Sequence, residues 1–368
     1  MDVISIITPV SKQDEKYIKR CYDSLLNQLQ PNLEWIVILE EYNEEIEAIK
    51  KGNDVSKKLE IKVSFDPDLI NVYQKRNEGI KLASGKYVYF LDVDDMLHDH
   101  TLYTLMESAK STPDLYDIVL GSLKETNVIA TESIAYNRLL NRLLENRIGK
   151  PKVLDQKKYR NSALNTLFKR DFILENKIEF EESMTGFSDI VFTSKAYSKT
   201  EMDVVFDKDA VYLKFVRNDP INNPSISQAQ NGIELYPRSM AQAISSLEEG
   251  STYRNILINK FLKTYHYKYL DGIYNTDPSD VYKETWSAAF RSIGLDRIIF
   301  NRPVHKKEIE HLVAGNYKQA TKMANRRLNF RTLKKIKKKP GTYRRVLYQK
   351  LFTTKLSVKK NYVLYESF

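Results

Sequence analysis

The sequence predicts an α/β protein: a Rossmann-like, mostly parallel sheet with helices on both faces, followed by a helical region. Three observations carry this expectation. Short β-branched runs alternate with helical patterns through the first third of the chain. An acidic cluster follows directly on one of those runs. Beyond a Pro/Asn-rich stretch at Asp219 to Pro224, helical patterns continue as far as Arg327, and a strand pattern returns only at Leu356 to Phe368.

Val3 to Thr8 is a β-branched run ended by Pro9 and reads as a buried strand. Ile18, Cys21, Tyr22, Leu25 and Leu29 share one face of a predicted helix, broken at Pro31-Asn32. Trp35 to Leu39 is a second buried strand, and Ile61 to Phe65 a third, followed by the turn-forming Asp66-Pro67-Asp68. Asn71 to Ala83 is helical and stops at Ser84-Gly85, and Tyr87 to Leu91 is a fourth strand. Leu102, Leu105, Met106 and Ala109 line one side of the next helix, and Ile118 to Leu120 is a fifth strand. Leu139 to Leu144 suggests a helix, Leu164 to Phe168 a short strand, and Val211 to Phe215 the last strand. Met240 to Leu247, Tyr253 to Tyr269, Val281 to Ile293 and Lys306 to Arg327 read as helices. The expected domains are 1–218 (catalytic α/β), 219–330 (helical accessory) and 331–368 (basic linker and the start of a possible following domain).

With 368 residues, 42% hydrophobic and 29% charged, the composition is that of a soluble globular protein. One cysteine excludes a disulfide framework and a cysteine metal cage. The N-terminus shows no signal-peptide pattern, and no apolar run approaches the ~20 residues that span a bilayer. The net charge of +10 is unevenly spread. Lys322 to Phe368 holds fifteen Lys and Arg against one acid, a net +14, which leaves −4 on the rest. Such a segment is expected to seek an anionic surface, either a membrane or a phosphate polymer. Nucleic acid is not the expected partner, because the segment's aromatics are not interleaved with its basic run.

Phe90-Leu91-Asp92-Val93-Asp94-Asp95 places three carboxylates after a buried strand. The carboxyl ends of strands are where open α/β sheets bind ligands. Carboxylates there can share a hard divalent cation with a diphosphate. The alternative is a helix N-terminus with Asp95 as its cap. Arg76 in Lys75-Arg76-Asn77-Glu78-Gly79 can pair with a diphosphate or steady an acidic-loop carboxylate; its alternative is plain solvent exposure. Pro9 ends the first strand and Glu40 the second, where a carboxylate can accept hydrogen bonds from a nucleotide. The histidines are scattered, Cys21 reads as core, and Tyr265 to Tyr269 reads as helix packing.

These motifs, in this order, resemble the A-type inverting glycosyltransferases of family 2. The resemblance runs through Ser24-Leu25-Leu26-Asn27-Gln28, the Glu34 to Leu39 strand, Arg76-Asn77-Glu78-Gly79 and Leu91 to Asp95, and covers roughly the first 215 residues. It implies a nucleotide-sugar pocket containing Pro9, Glu40, Arg76, Asp92 and Val93, with Asp94 binding the metal, Mn²⁺ or Mg²⁺. It implies Asp189, within Ser188-Asp189-Ile190-Val191-Phe192, as the catalytic base; a helix cap is the alternative there. The family's usual Glu before this Asp is replaced by Ser188, and its Asp-Asp at the second strand end by Leu39-Glu40. The segment Leu356 to Phe368 is similar to the opening of bacterial teichoic-acid polyol-phosphate polymerases, which implies a possible C-terminal polymerase domain.

The expected activity is transfer of a sugar from a nucleoside diphosphate sugar, UDP-linked, to a hydroxyl of a cell-wall or capsular phosphate-containing polymer. The alternatives are a lipopolysaccharide or exopolysaccharide glycosyltransferase with a polysaccharide acceptor, and a catalytically inactive polymer-binding module. The expected location is cytoplasmic, peripheral at the inner face of a bacterial plasma membrane.

Overall fold

The structure, a computed structural model, describes residues 3–30, 32–53, 59–126, 149–215, 232–275, 279–300 and 302–327. The expected helix at Leu139 to Leu144, the linker at Asp219 to Pro224 and all of 328–368 lie outside them. The chain forms two compact units: one within Met1–Ser183 and Lys199–Asn218, the other within Met184–Ser198 and Asp219–Asn361.

The first unit is built on β1 (Ile4–Pro9), β2 (Leu33–Leu39), β3 (Leu59–Phe65), β4 (Tyr87–Phe90), β5 (Met96–Leu97), β6 (Ile118–Thr126), β7 (Lys152–Val153), β8 (Thr166–Lys169) and β9 (Val205–Phe215). The strands form one sheet in the order β3-β2-β1-β4-β8-β6-β9-β5, with β7 beside β9. The β3-β2-β1-β4 half is wholly parallel, with Ile6 opposite both Trp35 and Tyr89. β8 then runs antiparallel to β4 and to β6. The sheet is therefore mixed, a departure from uniform strand direction that a four-residue strand does not announce.

β1 and β2 are buried at every position, as strands covered on both faces must be. One buried position is Glu34. Burial raises its carboxyl, but hydrogen bonds from Lys62, Ser5 and Ser84 outweigh this and hold it below its usual range. The covering helices are α1 (Ile18–Leu26), α2 (Glu44–Gly52), α3 (Val72–Leu82) and α4 (Thr101–Ala109), with a short α5 (Arg170–Glu175) after β8. Helix α2 has no counterpart among the expected elements; its start is capped by Asn43, which accepts from Ile46 N at 2.9 Å. A capping box of Asn71 and Gln74 starts α3. Gly79 lets α3 lie directly on β1, since a Cβ there would stand 2.3 Å from Ile7 Cγ2. Leu102, Leu105, Met106 and Ala109 are fully buried along α4, and Cys21 is core. Leu29 instead stays 46% exposed, because α1 ends three residues before it.

The second unit contains α6 (Ser188–Lys199, all but its last residue), α7 (Gly232–Ser245), α8 (Thr252–Asn275), α9 (Asp280–Ile293), α10 (Pro303–Val313) and α11 (Tyr317–Arg327). Its core is aromatic: Tyr265 packs on Trp286, Phe290 and Tyr269 with centroids 5.0–5.3 Å apart. Arg327 closes the end of the unit with a two-pronged bond to buried Glu308 at 2.9 and 3.0 Å. The single helix expected over Lys306 to Arg327 is two, α10 and α11, separated at Gly315, whose φ of +76° ends α10. Among the described residues no helix is long and apolar enough to cross a membrane.

Candidate active site

In the first unit the carboxyl ends of β1, β2 and β4 converge on the start of α3. Pro9 ends β1 and is buried. The carbonyl of the next residue, Val10, accepts from Lys75 Nζ at 2.8 Å, and the same ammonium pairs with Glu40 Oε1, just past β2, at 2.6 Å. Lys75 is fully buried, so one cation holds two strand ends together. One residue on, Arg76 donates from Nη2 to Asp92 Oδ1 at 2.7 Å, while its guanidinium lies 5.3 Å from the Phe180 ring and 5.8 Å from Phe90. Asn77 holds that Phe180 in place: it accepts from Phe180 N at 2.9 Å and donates to Phe180 O at 2.9 Å.

The acidic loop is a tight turn closed by Asp95 N to Asp92 O at 3.0 Å. Asp92 N donates to Tyr212 Oη at 3.2 Å, and Tyr212 donates in turn to Asp95 Oδ2 at 2.5 Å. Phe215 N donates to Asp95 Oδ1 at 2.7 Å. Asp95 therefore ties the loop to β9. It does not cap α4, whose start lies at His100–Thr101 beyond the intervening β5. Burial, with the charges of Asp94 and Asp92 beside it, pushes the Asp95 carboxyl well above the usual carboxylate range. Asp94 is half-buried, and its carbonyl accepts from Arg20. Arg20 is itself held between the rings of Tyr17 and Phe215, at 4.9 and 4.6 Å. His100 is core, with Nε2 3.0 Å from Asp209 O.

Asp94 and Asp92 are hard oxygen donors, and after burial their like charges are what raise the Asp95 carboxyl beside them. This fits a divalent cation. Among the described residues no group of three or more His, Cys, Asp or Glu is placed to hold a metal. A cation here must then take its remaining ligands from substrate oxygens and water, the usual habit of Mg²⁺ at phosphate sites.

Residues 5–173 match the family model described as glycosyl transferase family 2. The chain carries a family 2 glycosyltransferase domain. A poly(ribitol-phosphate) beta-glucosyltransferase of Bacillus spizizenii is 29% identical over 215 residues, which is 57% of this chain and 32% of that protein. The poly(ribitol-phosphate) beta-N-acetylglucosaminyltransferase TarP of Staphylococcus aureus is 23% identical over 325 residues, 86% of this chain and 78% of TarP. The chain thus spans about a third of the first relative and most of the second. The crystal structure of Staphylococcus aureus TarS 1–349 in complex with UDP-GlcNAc shares the fold, with a TM-score of 0.66, 17% identity, and coverage of 94% of this chain and 92% of TarS 1–349.

The family 2 domain thus brings together Pro9, Glu40, Arg76, Asp92, Val93 and Asp94 in its first unit. Val93 is buried within the acidic turn. Asp189 stands in the second unit, in the first turn of α6, where Thr193 Oγ1 donates back to its carbonyl at 2.7 Å. The turn before it is fixed by Phe187, at φ +60°, whose ring meets Tyr236 edge-on at 6.1 Å. Ser239 Oγ donates to Gly186 O at 3.1 Å. Lys268 Nζ lies 4.5 Å above the Tyr236 ring. Sequence reasoning assigned no role to Lys75, Tyr212 or Arg20. For Lys75 a signal exists, since it adjoins Arg76 on a helix aimed at strand ends; Tyr212 reads as one more core aromatic.

Proposed function

We propose that the chain transfers a sugar from a UDP-linked donor to a hydroxyl of a polyol-phosphate polymer, with inversion at the anomeric carbon. The observation that carries this is the pair of ion pairs, Lys75 with Glu40 and Arg76 with Asp92, fixed beside Asp94 at the strand ends of the family 2 domain. The polymer is suggested by the names of the relatives, both of which act on poly(ribitol-phosphate).

In this reading Glu40, Asp92 and Val93 contact the nucleoside, and Pro9 and the Arg76 guanidinium shape the pocket. Asp94 holds a Mn²⁺ or Mg²⁺ ion that, when bound, offsets the charge of the leaving diphosphate. Asp189 takes the proton from the attacking hydroxyl. That oxygen forms the new bond to the anomeric carbon as the bond to the nucleoside diphosphate breaks, and the diphosphate leaves with the electron pair. Lys268, over the Tyr236 ring in the same unit as Asp189, offers positive charge to a phosphate-bearing acceptor. The basic Lys322 to Phe368 segment attracts that polymer or the anionic inner face of a bacterial plasma membrane. The test is UDP release from UDP-glucose and UDP-GlcNAc, with and without poly(ribitol phosphate), in Mn²⁺, Mg²⁺ or EDTA. Polymer-dependent, EDTA-sensitive release is expected. Release equal with a neutral polysaccharide would favour an exopolysaccharide enzyme, and no release with any donor would favour a binding module.

A further inference from the structure

The second unit has a cavity of about 300 Å³ between α8 and the start of α10. Asn259, Lys263 and His266 line it from α8, His305 from α10 and Arg302 from the residue before α10; no Asp or Glu does so. His305 stands in the first turn of α10, where the helix dipole favours an anion. The Arg302 side chain makes no cap hydrogen bond. His266 forms a neutral wall: burial, with the charges of Arg327 and His305, takes its imidazole down to about 3. Its ring meets that of His305 edge-on at 4.6 Å. Lys263 and Arg302, both exposed, carry the charge at the mouth.

Beside this basic mouth stand two apolar side chains that are exposed among the described residues. Ile299, which also lines the cavity, is 82% exposed, and Val304 is 49% exposed. Lys306 and Lys307 continue the basic rim; Glu310 lies 3.9 Å from Lys306, and Glu308 is buried against Arg327. A polyol-phosphate chain satisfies the charges but gains nothing from bare isoleucine and valine. An anionic bilayer satisfies both, since its phosphates meet the cations while its acyl boundary takes the apolar tips.

We infer that this face docks on an anionic membrane surface, with a lipid headgroup phosphate in the Lys263–Arg302 cavity and Ile299 and Val304 entering the interface. The inference does not depend on the sugar-transfer reading, and it concerns residues other than those of the basic C-terminal segment. The test is co-sedimentation of the full chain with phosphatidylglycerol and with phosphatidylcholine vesicles, for the unsubstituted chain, Ile299→Asp and Arg302→Glu. The C-terminal segment is the same in all three, so differences report on this face alone.

The unsubstituted chain should bind the anionic vesicles and not the neutral ones. Ile299→Asp should weaken that binding by at least about tenfold, since burying an isoleucine is worth roughly 10- to 100-fold in an equilibrium. Its melting temperature should be unchanged, because the side chain is already exposed. An Ile299→Trp variant should show a blue-shifted emission on anionic vesicles and quenching by brominated acyl chains, against the buried Trp35 and Trp286. Binding of Ile299→Asp and Arg302→Glu equal to that of the unsubstituted chain overturns the inference, as does an unsubstituted chain that ignores anionic vesicles. Loss of soluble poly(ribitol phosphate) binding in these variants, with vesicle binding intact, assigns the face to polymer instead and also overturns it.

Discussion

Lys75→Met should unfasten the donor side of the site while leaving the sheet in place. The ammonium is fully buried and holds Val10 O at 2.8 Å and Glu40 Oε1 at 2.6 Å. Removing it leaves a carbonyl without its donor, a loss of about 1–3 kcal/mol. It also leaves a carboxylate without its counter-charge. A fully buried broken pair costs about 3–5 kcal/mol. The Glu40 side chain is 31% exposed, so water recovers much of that, and we expect roughly 2–4 kcal/mol in all. That should lower the melting temperature by about 5–15 °C at roughly 2–4 °C per kcal/mol. Thermal melts of Lys75→Met, Glu40→Gln and the double variant form a cycle. The double variant should be less destabilised than the two single effects added together, because the unpaired carboxylate is gone. Donor affinity, measured by calorimetry with UDP, should fall in both single variants. A melting temperature for Lys75→Met within a degree of the parent, with strictly additive effects, would refute the idea that this pair organises the strand ends.

Three further outcomes follow from particular contacts. Gly79→Ala drives a Cβ into Ile7 and should cost about 1–3 kcal/mol by overpacking, read as a lower melting temperature. Asp95→Asn should keep the loop, since an amide can accept from Phe215 N and donate to Tyr212 Oη. The Asp95 carboxyl is raised in the folded state, so the native form favours the proton, and its contribution to stability is lost as pH rises from the unfolded value through the folded one. The melting temperature of Asp95→Asn relative to the parent should therefore increase with pH from acidic toward neutral; a flat difference would show that Asp95 is not held protonated. Asp189→Asn should leave UDP affinity and melting temperature unchanged and reduce turnover by roughly 10²- to 10⁴-fold. A lower melting temperature with near-normal turnover would instead make Asp189 a first-turn acid that only stabilises the start of α6.

Much of the donor half was readable because its physics is local. A strand buried on both faces is written mostly in apolar β-branched and aromatic residues, and β1, β2 and β4 are, apart from Ser5, Thr8 and Glu34. The acids after β4 and the Arg76 motif stand where strand ends place ligands, and Arg76 does meet Asp92. What escaped was non-local. Lys75 looks like any helix-surface lysine until Val10 and Glu40 are brought to it from two other strands. Tyr212 is a core aromatic whose hydroxyl matters only because β9 runs beside the acidic turn, and that same pairing makes Asp95 a tether where the alternative reading had a helix cap. The reversal of β8 carries no signal in four residues. The break between α10 and α11 did carry one, the Gly315-Asn316 step, and a helix continued through it ignored the ordinary end signal of a left-handed glycine.

In the proposed reaction the strand-end ion pairs and Asp94 form a donor site from which sugar passes to a polyol-phosphate hydroxyl. The most direct measurement is UDP release from UDP-glucose and UDP-GlcNAc with poly(ribitol phosphate) and Mn²⁺, for the parent chain and Asp94→Asn. Polymer-dependent release by the parent is expected, with a loss in Asp94→Asn of about 2.7–4 kcal/mol in the barrier, roughly 10²- to 10³-fold, the scale of losing one electrostatic stabiliser. Equal release by the two chains, or full parent activity in EDTA, would contradict it.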